Sequence, residues 1–186
     1  MFRALRFVTL SVLLAVAAVV AMPARSAIAA SAAALDADAQ AALASLYEKT
    51  PSAKILGDKA NAILVFPDIV KAGFIVGASY GQGVLLKHGV TTGYYSSASA
   101  SYGLQAGAQV HGYALFLMTD AAVRYLGKSA GWEIGVGPSV VVVDAGMAKT
   151  LTTTTLKDDV YGFVFDQTGL MAGLGIQGSK ITRISK

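Results

Sequence analysis

The chain has 186 residues, 54% of them hydrophobic, and no cysteine. That length supports one domain with its own core, and the absence of cysteine excludes disulfide staples, Cys-rich zinc sites, thiol nucleophiles and a lipid-modified cysteine. The formal charge of +4 resides mostly in the first segment: without Arg3, Arg6 and Arg25, 12 basic side chains stand against 11 acidic ones, a net +1 that makes no electrostatic case for nucleic acid.

Residues 1–29 read as a secretory signal peptide. Arg3 and Arg6 form a basic start, Phe7 to Ala21 an apolar stretch, and Ala27-Ile28-Ala29 a small-residue cleavage site. The apolar stretch is short of the ~20 residues a membrane span needs, and no Arg-Arg pair marks a twin-arginine route. The expected product is a mature domain, residues 30–186, exported by a Sec-type route to the periplasm or the outside.

That domain opens with Ser31 to Lys49, where Leu35, Ala39, Leu43, Leu46 and Tyr47 recur at helical spacing. The pattern predicts a helix covering one face of a sheet; its polar side lacks the Lys and Arg of a membrane-surface helix. Thr50-Pro51 supplies a cap and a first-turn proline for a short helix to about Lys59. The stretch Ala60 to Leu86 organises the rest of the domain. It holds an apolar run, Ile63 to Phe66, a proline stop at Pro67, and then a period-two pattern. Ala72, Phe74, Val76, Ala78 and Tyr80 alternate there with Gly73, Ile75, Gly77, Ser79 and Gly81. Alternate side chains of a strand point to opposite faces, and interior glycines mark close approach, so this reads as a central strand with a neighbour packed on its glycine side.

Lys87-His88-Gly89 is a polar hinge. From Thr92 to Met118 the alternation is strict, Ala98, Ala100, Tyr102, Leu104, Ala106, Ala108 and Val110 against Ser99, Ser101, Gly103, Gln105, Gly107, Gln109 and His111. It predicts a half-buried antiparallel strand or a hairpin, with both sides turning apolar after Gly112. Thr119 and Asp120 open a short helix, Ala121 to Leu126, closed by Gly127. Strands are expected at Trp132 to Val136 and Val140 to Val143, a loop at Asp144 to Lys149, and an edge or connecting strand at Thr152 to Thr155. Leu170 to Gln177 repeats the bulky-and-glycine alternation of the central stretch. The fold class is α+β: a mainly antiparallel sheet or closed barrel-like sheet of Gly-rich strands, covered by an N-terminal helix and one short internal helix.

Two motifs invite chemistry and fail their context. Gly77-Ala78-Ser79-Tyr80-Gly81 matches a nucleophile elbow, which needs a helix leaving the serine and an acid and a histidine further on in order. More strand comes after Gly81, and no acid lies between Asp68 and Asp120 to partner His88 or His111. Gly173 to Gly178 matches a dinucleotide fingerprint but has neither a helix after it nor an acid about twenty residues on. His88 and His111 read as lone histidines and Asp158-Asp159 as a solvated turn. No catalytic residue, metal site or cofactor is expected, and the chain reads as a non-enzyme.

AILVFPDIVKAGFIVGASYGQGVLL, SYGLQAGAQ, FLMTDAAVRYL and GLMAGLGIQGSKI, in that order, resemble the successive blocks of the SYLF domain, also catalogued as an actin-binding family after a yeast member. The resemblance spans roughly Lys54 to Ile184. It implies phospholipid binding, with phosphoinositides the ligands of eukaryotic members and exported proteins among the bacterial ones. Where eukaryotic relatives carry a Ser/Arg-rich segment, this chain has Gly162-Phe163-Val164-Phe165-Asp166-Gln167-Thr168, so their basic headgroup chemistry is not carried over. Actin is not an expected partner for an exported protein.

The expected function is therefore non-enzymatic binding of phospholipid or a membrane surface in the bacterial envelope, with Lys71, Lys180 and Arg183 as candidate phosphate contacts, since Lys and Arg supply such contacts. The alternative is a structural or self-assembling envelope protein without a specific lipid. A hydrolase using Ser79 and an outer-membrane barrel both fit worse, the latter because of the two helices and the uneven strands.

Overall fold

The computed structural model describes residues 31–73, 75–102, 107–128, 130–151, 156–169 and 178–186. The signal peptide read at 1–29, the strand expected at Thr152 to Thr155 and the repeat at Leu170 to Gln177 lie outside the described residues.

Helix α1 (Ala32–Lys49) starts where the Ser31 hydroxyl accepts a hydrogen bond from the Ala34 amide, 3.2 Å, and it buries the expected stripe Leu35, Ala39, Leu43 and Leu46. Helix α2 (Pro51–Gly57) comes directly after it, with proline at its first position, where the missing amide costs nothing. Thr50 stands at its N-cap but makes no side-chain capping bond.

Strand β1 (Ala62–Gly73) runs through Pro67 rather than stopping there. The register of β1 slips beside the proline against both neighbours, between Val65 and Asp68 on one side and Phe66 and Ile69 on the other. A bulge of this kind absorbs the ladder bond that proline cannot donate. The period-two stretch Ala72 to Tyr80 is not one strand but a hairpin: β2 (Val76–Lys87) returns antiparallel, with Gly73 opposite Gly77. A Cβ on Gly73 would collide with the Gly77 backbone, so the turn requires glycine there.

The hinge at Lys87 to Gly89 is a two-residue turn. His88 and Gly89 both have positive φ (49° and 79°), and Lys87 pairs with Val90. Such a turn matches the twist of the strands it joins. The segment read as one strand or a hairpin forms two strands that do not pair with each other: β3 (Val90–Tyr102) and β4 (Gly107–Leu117) are separated by β2 and β1.

Helix α3 (Asp120–Leu126) has its N-cap as expected, Thr119 Oγ1 accepting from the Ala122 amide at 3.2 Å. Gly127 at its end has φ −78°, an ordinary helical value, and not the left-handed conformation expected of it. Strands β5 (Trp132–Glu133) and β6 (Val140–Val142) are shorter than the sequence suggests. Asp144 to Lys149, read as a loop, is mostly helix α4 (Ala145–Thr150), because Asp144 caps it by accepting from the amides of Gly146 and Met147, both at 2.8 Å. Strands β7 (Val160–Gly169) and β8 (Lys180–Ile184) complete the described elements.

The fold is α+β. Its eight described strands form one curled sheet in the order β5-β8-β3-β2-β1-β4-β7-β6, antiparallel throughout except for β6 against β7. Of the open and closed forms expected, the described strands make the open one, ending in the two-residue β5 and the three-residue β6. One sheet face carries Ile63, Val65, Val84, Leu86, Phe116 and Phe163 under α1. The other carries Leu64, Phe66, Tyr113 and Leu115, which form the main core with Ala122 and Leu126 of α3 and with Trp132 and Ile134.

Helix α1 runs across the strands. Asp36 accepts from Thr91 Oγ1 (3.0 Å) and Tyr94 Oη (3.1 Å) on β3, while Lys49 pairs with Asp166 on β7 at 2.5 Å. The stretch of helix between those anchors rises about 20 Å, matching the roughly 19 Å of four strand spacings from β3 to β7.

Candidate functional site

Because α1 crosses the sheet, it covers only one end of its face. The strands run on past it toward the β1–β2 hairpin, and there the same face is open to solvent. Register and strand parity define what it presents. One cross-strand row is Val110, Val70, Tyr80, Ala98 and Lys180; the next is Ala108, Ala72, Ala78 and Ala100, with Val76 beyond. Val70, Val76 and Tyr80 are 53%, 64% and 51% exposed, and Ile75 at the tip 46%. All five alanines of these rows are exposed as well, and the Tyr80 hydroxyl accepts from Gln82 Nε2 at 3.1 Å. This is a contiguous apolar sheet surface, of the kind that marks an interaction site.

In β2 and β3 the expected alternation runs with glycines and serines inward and alanines outward, so the bulkier side is the open one. Ser97 is 2% exposed and receives the Tyr113 hydroxyl at 2.7 Å, and Ser79 and Ser99 meet at 2.7 Å. The neighbour packed on the glycine side is β1 itself: a Cβ on Gly81 would run into the Asp68 carbonyl and the Ile69 side chain, and one on Gly83 would come 2.5 Å from the Val65 carbonyl.

The three basic residues singled out from sequence do not converge. Lys180 sits beside Ala98 at the rim of the open apolar face. Lys71 pairs with Ser79 and Gln109 and points to the opposite face. Arg183 also lies on that opposite face, opposite buried Tyr95 at the other end of the sheet, where it partly offsets the upward push that burial gives the Tyr95 hydroxyl. Near Lys71 the inward face holds His111 and Gln109, both buried, whose Nδ1 and Oε1 atoms lack hydrogen-bond partners among the described residues. Burial, and then the Lys71 charge, hold His111 below the usual imidazole range. The apolar rows, the feature that stands out most, are present in the sequence as Ala72, Ala78, Ala98, Ala100 and Ala108. What hides them there is that small apolar residues look the same on a core face and on an open one.

Ser79 lies within β2 and not at a strand-to-helix elbow, and its hydroxyl is engaged by another serine. Asp159 is a structural latch: its carboxylate accepts from Thr119 Oγ1 (3.0 Å) and from the Ser139 amide (3.2 Å), joining the start of α3 to the start of β7.

Residues 98–186, a little under half of the chain, match the family model described as Ysc84: Las17-binding protein actin regulator. This is the SYLF family that the sequence blocks resemble, a family of binding domains, and its match runs through the second half of the domain. The matched part includes the end of β3, all of β4 and β7, and β8 with Lys180 and Arg183; β1, β2 and Lys71 precede it. No curated protein matches the chain.

Proposed function

We propose that this domain is a non-enzymatic binding protein that docks on phospholipid membranes in the bacterial envelope, reaching it through cleavage of the leader at 1–29. The observation that carries the reading is the open apolar sheet face at the β1–β2 end, with Val70, Val76 and Tyr80 half exposed or more and Lys180 at its rim. A bilayer suits such a face: apolar side chains enter the boundary between headgroups and acyl chains, tyrosine belongs at that depth, and a rim lysine meets phosphate. Neither Lys71 nor Arg183 shares that face, so of the three candidate contacts only Lys180 belongs to the docking surface.

The test is co-flotation of the domain with vesicles of phosphatidylglycerol and phosphatidylethanolamine. Wild-type protein should float with them, and Val76→Asp, a substitution at an exposed position, should stay at the bottom of the gradient. The same face is also the natural contact for a second copy of the chain. If Val76→Asp instead dissolves a dimer while vesicle binding is absent in both proteins, the self-assembling reading replaces the membrane one.

A further inference from the structure

Away from the open face, the junction of α1 and α2 forms a cavity of about 660 Å³ with α4 and β7. Its floor is apolar and fixed: Leu46, Val143, Phe163 and Phe165 are all buried. Its mouth is charged. Lys49 is held there by Asp166, but both side chains are largely exposed, 61% and 44%, so the pair is weak and exchangeable. Lys149 on α4 lines the same mouth and has no salt-bridge partner among the described residues, while Asp144, also in the lining, directs its carboxylate to the α4 amides of Gly146 and Met147. Ser52, another lining residue, is 6% exposed, and its hydroxyl has no hydrogen-bond partner among the described residues. Leaving a buried polar group unsatisfied costs about 1–3 kcal/mol, so this wall of the cavity retains a polar atom that packing alone does not explain.

We infer that this cavity binds a single-chain amphiphile with an anionic head, its chain on the Leu46–Phe163 floor and its head at Lys149, with Lys49 able to exchange Asp166 for it. Size decides between one chain and two. At roughly 30 Å³ per heavy atom, the share of a water in the liquid, the cavity takes on the order of twenty heavy atoms. That is one long acyl chain with a small head, and too little for a two-chain phospholipid. The volume also falls within the range of small-ligand sites, whose walls are mostly apolar with a few polar groups to orient the ligand. The site shares no residue with the open sheet face, so it stands or falls separately from the membrane reading.

The experiment is calorimetric titration of the full domain with palmitate, hexadecanol and hexadecyltrimethylammonium, each below its micelle concentration. Palmitate should bind at one per chain, at least about tenfold more tightly than either of the other two heads, as expected when a charge pair forms. Lys149→Glu should weaken palmitate about tenfold, and Ala148→Phe, which fills the cavity from α4, should abolish binding while each variant keeps its unliganded melting temperature. Backbone NMR shifts on adding palmitate should centre on Leu46, Val143 and Phe163. Val76→Asp, defective on vesicles, should still bind palmitate normally, which separates failure of one site from failure of the other. Equal affinity for the three heads, several chains bound per protein, or palmitate binding unchanged in both Lys149→Glu and Ala148→Phe overturns the assignment.

Discussion

Replacing Val70, Val76 and Tyr80 together by threonine should cut vesicle binding about a hundredfold, and raising the salt should hardly change it. Fully burying a side chain of this class is worth about 1.5–3 kcal/mol. With roughly half of each already covered in the free protein, entering the bilayer adds about 1 kcal/mol per residue and about 3 kcal/mol for the three, which corresponds to a factor of about a hundred. Lys180 near an anionic surface contributes about 1 kcal/mol, less than tenfold. Going from 50 to 500 mM salt shortens the screening length from about 14 Å to about 4 Å and removes much of that smaller part alone. Threonine is β-branched and suits a strand, so the folded protein should melt as before. Flotation across the salt series, for wild type, the triple variant and Lys180→Gln, measures both contributions. Binding that vanishes at 500 mM, or that survives the triple substitution, would show that charge and not apolar burial holds the domain to the membrane.

The geometry sets four further outcomes. Gly81→Val should lose about 1–3 kcal/mol or more in urea unfolding, since its side chain has only the Asp68 carbonyl and Ile69 to displace; an unchanged midpoint would mean that β1 and β2 can separate there at no cost. Ser79→Ala should leave ester hydrolysis at background and vesicle binding intact, whereas turnover abolished by this change would establish a hydrolase. His111 is held neutral by burial and Lys71, so the unfolded chain binds more protons in the window below about 6.5. Stability should therefore be full above that pH and decline as pH falls toward the lowered folded value, and His111→Gln should flatten that decline between about pH 7.5 and 5.5; an identical slope in both proteins would refute it. Mature protein recovered from the exporting cell should begin near Ala30 by N-terminal sequencing, and correctly localised protein still starting at Met1 would overturn the leader.

Much of the fold can be read from residues because the signals are local. The Leu35 to Leu46 stripe, the caps at Ser31 and Thr119 and the hinge at His88-Gly89 each depend on neighbours within a few positions. The β1–β2 turn escapes because Gly73 to Val76 holds no Asn, Asp or Pro to announce it, so the alternation on either side looks continuous. Helix α4 escapes because its six residues include a glycine and depend on one aspartate cap. The candidate site is hidden for a different reason. Whether Lys71, Lys180 and Arg183 share a face depends on which residues pair across β1, β2, β3 and β8, and that is a property of pairing, not of spacing along the chain.

The crosswise course of α1 also bears on when the chain can fold. Among the first elements of the domain, this helix rests on strands drawn from most of the remaining sequence, and its last anchor, Asp166, lies 117 residues downstream of Lys49. Most of a helix's stability in a protein comes from tertiary packing of its apolar face, and contacts that distant in sequence are slow to form. A polypeptide emerging N-terminus first can seat its opening helix on β1 and β2 early, but the Lys49 anchor has no partner until β7 has appeared. The helix is pinned at both ends only once nearly all of the domain has arrived.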